Sequence, residues 1–290
     1  MIDNQVHGDE IRASIAAVVV LYNPMEDVYD NIISYREQVQ CLYVVDNSTI
    51  YNVTLIHKLK ALQNVNYVDN LGNQGIAQAL NIGAASAIKS GFDYLLTMDQ
   101  DTVLQPGFVS KLLKAVSLHE LKYIGIIAPR YFTAGTSDLP ITEDVMITMT
   151  SGNLLNLEAY KVVGPFMEKL FIDHVDHEYC LRLKTRGYRV VQCNGIVIPH
   201  RPGNVITINF WIKEIEFSSH SPQRTYYYYR NGLYVASLYK DSFPEFKRLF
   251  KKLMTKEICK IPLEDRKLER IAMLKRAIKD FRSASFGKLA

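Results

Sequence analysis

Ser14–Tyr22 reads SIAAVVVLY, small and β-branched apolar residues with no polar face. Strands covered on both sides in a parallel sheet have this pattern. A buried strand is therefore predicted, ended by Asn23-Pro24. The pattern then alternates. A helix is predicted over 25–38, a strand at Cys41–Val45 closed by Asp46-Asn47-Ser48, a helix over 52–63 and a short strand at Val65–Val68. A Gly/Asn loop, Leu71–Gly75, leads to an Ala-rich helix, Ile76–Ser90. A fourth strand, Phe92–Met98, ends at Asp99-Gln100-Asp101. This β-α repetition predicts an α/β fold, a parallel sheet flanked by helices. Such sheets bind ligands outside the carboxyl ends of their strands. Asn23, Asp46 and the Asp99/Asp101 pair all stand there.

Beyond residue 120 the pattern loosens. It predicts a strand at Tyr123–Ala128, a mobile loop over 132–143 and a strand at Val145–Met149. Ser151-Gly152-Asn153 then precedes a helix from about Leu157. A helix over Asp176–Arg186 and strands at Tyr188–Cys193 and Ile196–Ile198 follow. After residue 240, Phe243, Phe246, Leu249, Phe250, Leu253 and Met254 recur on one helical face. Pro262 interrupts, and Leu268, Ile271, Leu274, Ile278 and Phe281 resume a stripe. The predicted division is a catalytic body over 1–240, halved near residue 120, and a basic amphipathic helical extension over 241–290.

Composition narrows the function. The 290 residues are 48% apolar and 22% charged, which suits a globular protein with a sizeable core. The first dozen residues are polar and unpatterned, a loose arm. The longest apolar run, Ile15–Tyr22, falls short of the roughly 20 residues of a membrane span. No basic-then-apolar leader is present either, so a cytosolic protein is expected. Four scattered cysteines without a CxxC pair argue against a disulfide framework or structural zinc. The net charge of +4 is uneven: from Lys240 onward 15 Lys or Arg face 7 Asp or Glu. The body is thus slightly acidic, which argues against nucleic-acid binding. The basic helices could lie on an anionic membrane surface, or pack on the body or on a second subunit; the pattern leaves these alternatives open.

Three groups of residues could carry chemistry. In an extended strand end, Asp99 and Asp101 point the same way and could share Mg2+ or Mn2+, which would bridge to a diphosphate. Asp173, Asp176 and Glu178 lie within six positions, so close that they repel one another unless relieved; a general base could be among them, although acidic residues also favour a helix start. His200 follows a strand and could add an imidazole ligand. The loop Asn70–Gly75 opens a helix and could present N–H groups to an anion, but it is neither a Walker A loop nor a dinucleotide fingerprint.

Taken in order, VVVLYNP (Val18–Pro24), VVDNST (Val44–Thr49), NLGNQGIAQALNIG (Asn70–Gly83), LLTMDQDT (Leu95–Thr102), SGNLL (Ser151–Leu155), FIDHVDHEYCLR (Phe171–Arg182) and the IPH ending at His200 resemble the family 2 glycosyltransferases. The likeness is closest to bacterial rhamnosyltransferases of O-antigen and surface polysaccharide synthesis. It implies a GT-A fold, Rossmann-like and mostly parallel. It implies Asp46 at the nucleobase with Tyr22 and Asn23 nearby, Asp99 and Asp101 at metal and sugar-nucleotide, Asp176 as base and His200 as a further metal ligand. Gly75 and Asn81 match the donor-side loop and helix. SGNLL and YYYYRN (Tyr226–Asn231) would sit nearer the acceptor or diphosphate. The implied reaction is inverting transfer from a nucleotide-sugar, dTDP-rhamnose favoured, to a glycan or lipid-linked acceptor. The implied place is the inner face of a bacterial membrane, as a peripheral protein; homo-oligomerisation stays open.

Two other readings compete. A sugar nucleotidyltransferase needs a Gly-rich, Arg-containing loop after the first strand, where Tyr22-Asn23-Pro24 stands instead. A non-catalytic, membrane-associated scaffold of a polysaccharide complex would tolerate loss of the acidic motifs, which are intact.

Overall fold

The computed structural model describes residues 13–116, 120–131, 139–198, 205–210 and 213–289. Its main sheet has eight strands: β1 (Ile15–Leu21), β2 (Cys41–Asp46), β3 (Val65–Asp69), β4 (Tyr94–Asp99), β5 (Ile124–Arg130), β6 (Thr142–Asp144), β7 (Asn153–Asn156) and β8 (Arg189–Val197). They lie in the order β3-β2-β1-β4-β7-β5-β8-β6. The predicted β-α unit forms the parallel half, β3-β2-β1-β4. Short β7 then pairs antiparallel to both β4 and β5, which joins this half to the rest.

Every residue of β1 is buried, and the two-residue period sorts its side chains between two cores. Ala16, Val18 and Val20 face one core with α3 (Ile76–Lys89). Ile15, Ala17, Val19 and Leu21 face the other with α1 (Val28–Arg36), α2 (Val53–Lys60) and α4 (Phe108–Lys114). Gly83 lets α3 approach β1 closely: a Cβ there would stand 2.4 Å from a Val18 methyl. The first core also takes in α5 (Leu157–Val163) and α6 (Val175–Thr185).

Two strands outside the main sheet, β9 (Val205–Phe210) and β10 (Lys213–Ser218), pair antiparallel. Three helices follow: α7 (Pro222–Leu238), α8 (Pro244–Lys260) and α9 (Lys267–Arg282). Packing does not break at residue 240. Phe246 and Phe250 of α8 belong to the large core, and Ala277 of α9 packs with Tyr226, Tyr227 and Tyr229 of α7. The segment after α9 turns back onto the body. Gly287 N–H donates to the Lys169 carbonyl at 2.7 Å, Leu289 N–H to the Tyr227 hydroxyl at 2.7 Å and Lys288 Nζ to the Asn73 carbonyl at 3.0 Å.

Several expectations change. The strand expected at Val145–Met149 lies at Thr142–Asp144, where pairing with β8 sets it. The two strands expected within 188–198 are one, β8. The stripe in α8 is right at Phe246 and Phe250, but the one in α9 is rotated. Leu268 is 84% exposed while Arg270 is buried. Arg270 occupies the inner face because Asp265 (2.7 Å) and Glu264 (3.4 Å) neutralise it there. The loose arm before residue 13, most of the 132–143 loop and His200 lie outside the described residues. Among the described residues, no helix is long and apolar enough to cross a membrane, and the four cysteines are free thiols.

Candidate active site

The carboxyl ends of β2, β1 and β4 lie side by side. Leu21 is level with Asp46, and Val20 with Asp99. β4 stops at Asp99, and Gln100-Asp101 form a turn with Thr102 N–H donating back to the Asp99 carbonyl at 3.3 Å. The two carboxylates therefore meet through a turn, not through the extended strand end expected from their spacing. Ser151, from SGNLL, braces this turn: its Oγ accepts from Asp99 N–H at 3.0 Å and donates to Thr102 Oγ1 at 2.8 Å. Asp101 is exposed and Asp99 half-buried. Burial, then the charges of Asp101 and Asp176, push the Asp99 carboxyl up to about 7. Asp176, near the start of α6, is thus in electrostatic range of the pair. It also lines a small cavity with Thr97, Asn153 and Tyr179.

Tyr22 and Asn23 form the rim beyond β1, and both are exposed. Asn23 Oδ1 accepts from Thr49 N–H at 2.9 Å and Ile50 N–H at 3.0 Å, which ties this rim to the loop after β2. Asp46 is fully buried between them. Its oxygens accept from Ser48 N–H at 3.0 Å and the Tyr67 hydroxyl at 2.7 Å.

The loop before α3 is internally satisfied. Gln74 N–H donates to Asn47 Oδ1, Gly75 N–H to Asn73 Oδ1 and Ile76 N–H to the Phe171 carbonyl. These N–H groups are therefore closed to an anion, contrary to the expectation from the loop's composition. Gly75 takes φ 93°, and a Cβ there would come within 2.6 Å of the Phe171 carbonyl oxygen. Asn81 accepts from the Tyr160 hydroxyl and Phe166 N–H and donates to the Phe166 carbonyl and Glu168. All four of its amide hydrogen-bonding positions are taken. Both residues hold α3 against the 166–171 segment.

The acidic cluster separates into three roles. Glu178 is fully buried; both its oxygens accept from Arg182 at 2.9 Å, and Tyr239 adds a bond at 2.8 Å. It joins α6 to the end of α7. Asp173 pairs with Arg224. Asp176 accepts only from the N–H of its neighbour, His177, at 2.8 Å among the described contacts. Among the described residues it is thus the acid of the three not paired to an arginine. Beside it, burial and then the His177 charge hold His174 well below the usual histidine range, and the rings meet Nδ1 to Nδ1 at 3.0 Å.

YYYYRN serves the same loop from behind. Asn231 Nδ2 donates to the carbonyls of Leu170, Ile172 and Asp173, and Arg230 to those of Leu170 and Gly287. Arg224 and Gln100 are site residues that sequence reasoning missed. For Arg224 a signal existed: Ser221-Pro222 marks a helix start, which places Arg224 in the first turn.

A divalent cation fits part of this geometry. Asp99 and Asp101 offer oxygen ligands suited to Mg2+ or Mn2+, and Asp99 is a carboxylate under like-charge pressure. Among the described residues no third His, Cys, Asp or Glu joins them.

Residues 16–166 match the family model described as glycosyl transferase family 2. Over 240 residues, covering 77% of this chain and 79% of the relative, the chain is 30% identical to a dTDP-rhamnosyl transferase, RfbF, of Shigella flexneri. A poly-beta-1,6-N-acetyl-D-glucosamine synthase of Staphylococcus aureus is 29% identical over 103 residues, 34% of this chain and 24% of that protein. Among solved structures, S. aureus TarS 1-349 superposes with a TM-score of 0.59 at 13% identity, covering 94% of this chain and 81% of that one. GalNAc-T7 with UDP, GalNAc and Mn2+ gives 0.60 at 16% identity, covering 94% and 55%. These two structures share the GT-A fold. With the family model spanning more than half of its length, the chain belongs to glycosyl transferase family 2.

Proposed function

We propose that this glycosyltransferase inverts configuration and moves L-rhamnose from dTDP-rhamnose to a hydroxyl of a glycan or lipid-linked acceptor. The observation that carries the chemistry is that Asp176 lines one cavity with Thr97 of β4, the strand whose end carries the Asp99–Asp101 turn. The S. flexneri relative supports the donor. Asp176 takes the proton of the acceptor hydroxyl as its oxygen attacks the anomeric carbon from the face opposite the diphosphate. The C1–O bond breaks, the nucleoside diphosphate leaves with the bonding pair, and configuration inverts. Asp99 and Asp101, with His200 as a candidate third ligand, would hold Mg2+ or Mn2+, which when bound supplies charge to the departing diphosphate. Tyr22 and Asn23 border the nucleobase; Asp46 shapes that pocket through Tyr67. Gly75 and Asn81 hold the donor-side loop and helix in place. A calorimetric screen of dTDP-, UDP- and GDP-sugars with either metal tests the donor. Tightest binding of dTDP-rhamnose is expected; a clear preference for another nucleotide overturns it.

Peripheral attachment to an anionic leaflet belongs to the same proposal. Leu263, Leu268 and Ile271 are exposed where α8 meets α9, among Arg266, Lys267 and Lys275. Apolar insertion and charge attraction add at such a surface. Sedimentation with anionic liposomes should fall on Leu268→Ser/Ile271→Ser and in high salt; unchanged pelleting contradicts the assignment.

A further inference from the structure

We infer that Arg224 is a donor-diphosphate contact and that Asp173 is the positioning residue that holds it ready. The inference rests on the donor reading above. Arg224 lies in the first turn of α7, beside the 170–173 loop. Its Nε reaches Asp173 Oδ1 at 3.1 Å and Oδ2 at 3.3 Å, and its Nη2 reaches Oδ1 at 3.1 Å. A guanidinium has five N–H donors on three nitrogens, so Nη1 remains outside this pair. The side chain is 46% exposed against 13% for Asp173. The carboxylate is thus the fixed partner and the guanidinium the one that faces solvent.

The fixed partner is built with effort. Asp173 and the next residue, His174, both take left-handed φ, 62° and 61°, a conformation sterically disfavoured for residues other than glycine. Asn231 over-determines it through its bonds to three loop carbonyls. Strain held this firmly accumulates where a side chain must be aimed.

The placement follows from the chain. Asp173, which holds Arg224, stands three residues before Asp176, and Asp176 lines one cavity with Thr97 of β4, the strand that ends at Asp99. The ion pair therefore borders the end of the sheet that carries those acids. A nucleoside diphosphate brought there adds negative charge to three carboxylates. A divalent ion at Asp99 and Asp101 offsets part of it, and Arg224 adds one charge with a planar fork that matches phosphate oxygens.

The test compares wild type with Arg224→Met, Arg224→Lys and Asp173→Asn, using full-length protein. Affinity for dTDP is measured by calorimetry with Mn2+, affinity for thymidine by ligand-observed NMR, and folding by thermal melting. Arg224→Met should weaken dTDP about tenfold or more and leave thymidine within about twofold. Arg224→Lys should fall between, and Asp173→Asn should lose less than Arg224→Met. Equal dTDP affinity in wild type and Arg224→Met overturns the inference. So does a parallel loss of dTDP and thymidine, because it marks a purely structural residue. Wild type that binds thymidine and dTDP equally well also overturns it. Wild type that binds neither overturns the dTDP-sugar donor, a different failure, and the inference with it.

Discussion

Gln100 and Tyr22 hold each other reciprocally: Tyr22 N–H donates to Gln100 Oε1 at 2.8 Å, and Gln100 Nε2 donates to the Tyr22 carbonyl at 3.3 Å. The side chain between the two aspartates thus copies a strand's main chain and extends the β1–β4 pairing past its last residues, Val20 and Asp99. It fixes the turn that carries Asp101 to the rim that carries Tyr22. Gln100→Ala is expected to weaken donor binding about five- to tenfold and to cost under ~1 kcal/mol of stability, since the group is near the surface. Calorimetry with the donor and a urea titration check both. A donor affinity equal to wild type removes the clamp from the account.

Asp176→Asn should keep donor affinity and lower kcat by about 10²–10⁴-fold, because a base is needed only as the acceptor proton leaves. Glu178→Gln should behave differently. It leaves Arg182 without its buried counter-charge, so stability should fall by roughly 3 kcal/mol. Steady-state kinetics and thermal melting separate the two. A Glu178 variant that is stable but inactive would move the base to that position.

The raised Asp99 carboxyl predicts a pH dependence. Its folded value, about 7, lies above its ordinary one. The folded state therefore holds this proton more tightly than the unfolded chain does. The resulting stabilisation is fully present below about pH 4 and is lost as pH rises through about 7. In metal-free protein at pH 8, Asp99→Asn should raise stability by roughly 1 kcal/mol while abolishing metal-dependent donor binding. Metal binding to wild type should release a proton near pH 7 and weaken below it. A destabilised Asp99→Asn protein at pH 8 contradicts this reading.

The first four strands and the acidic turn were legible because a strand buried on both sides leaves a continuous apolar run that a polar cluster must end. Elsewhere, pairing partners decided. β7 is four residues long and is held between β4 and β5, which no local pattern announces. In α7 the run Tyr226–Tyr229 favours a strand on propensity; packing in the helical core makes it a helix. Arg270 shows why the α9 stripe misled: a buried ion pair put an arginine where counting apolar residues expects none. The place of Arg224 in a first helical turn could be read, but its pairing could not. Its partner, Asp173, is 51 residues away, and only the packed loop brings them together.

The segment after α9 gives a stability prediction. Arg230 is buried, stacked on Tyr226, Tyr227 and Phe286, and bonded to the Gly287 carbonyl at 2.8 Å. Truncation after Arg282 removes two of those neighbours and uncovers the 170–173 loop. A loss of roughly 2–4 kcal/mol is expected, with weakened donor binding because Lys288 no longer holds the Asn73 loop. A truncated protein with unchanged melting temperature contradicts it.

The central claim is sugar transfer with inversion, driven by Asp176 beside the Asp99/Asp101 turn. It is tested most directly by NMR of the product formed from dTDP-β-L-rhamnose and a purified lipid-linked acceptor with Mn2+. An α-linked rhamnosyl product is expected, with none in EDTA or with Asp101→Ala and about 10²–10⁴-fold less with Asp176→Asn. A β-linked product, or wild-type rates with either variant, would contradict it.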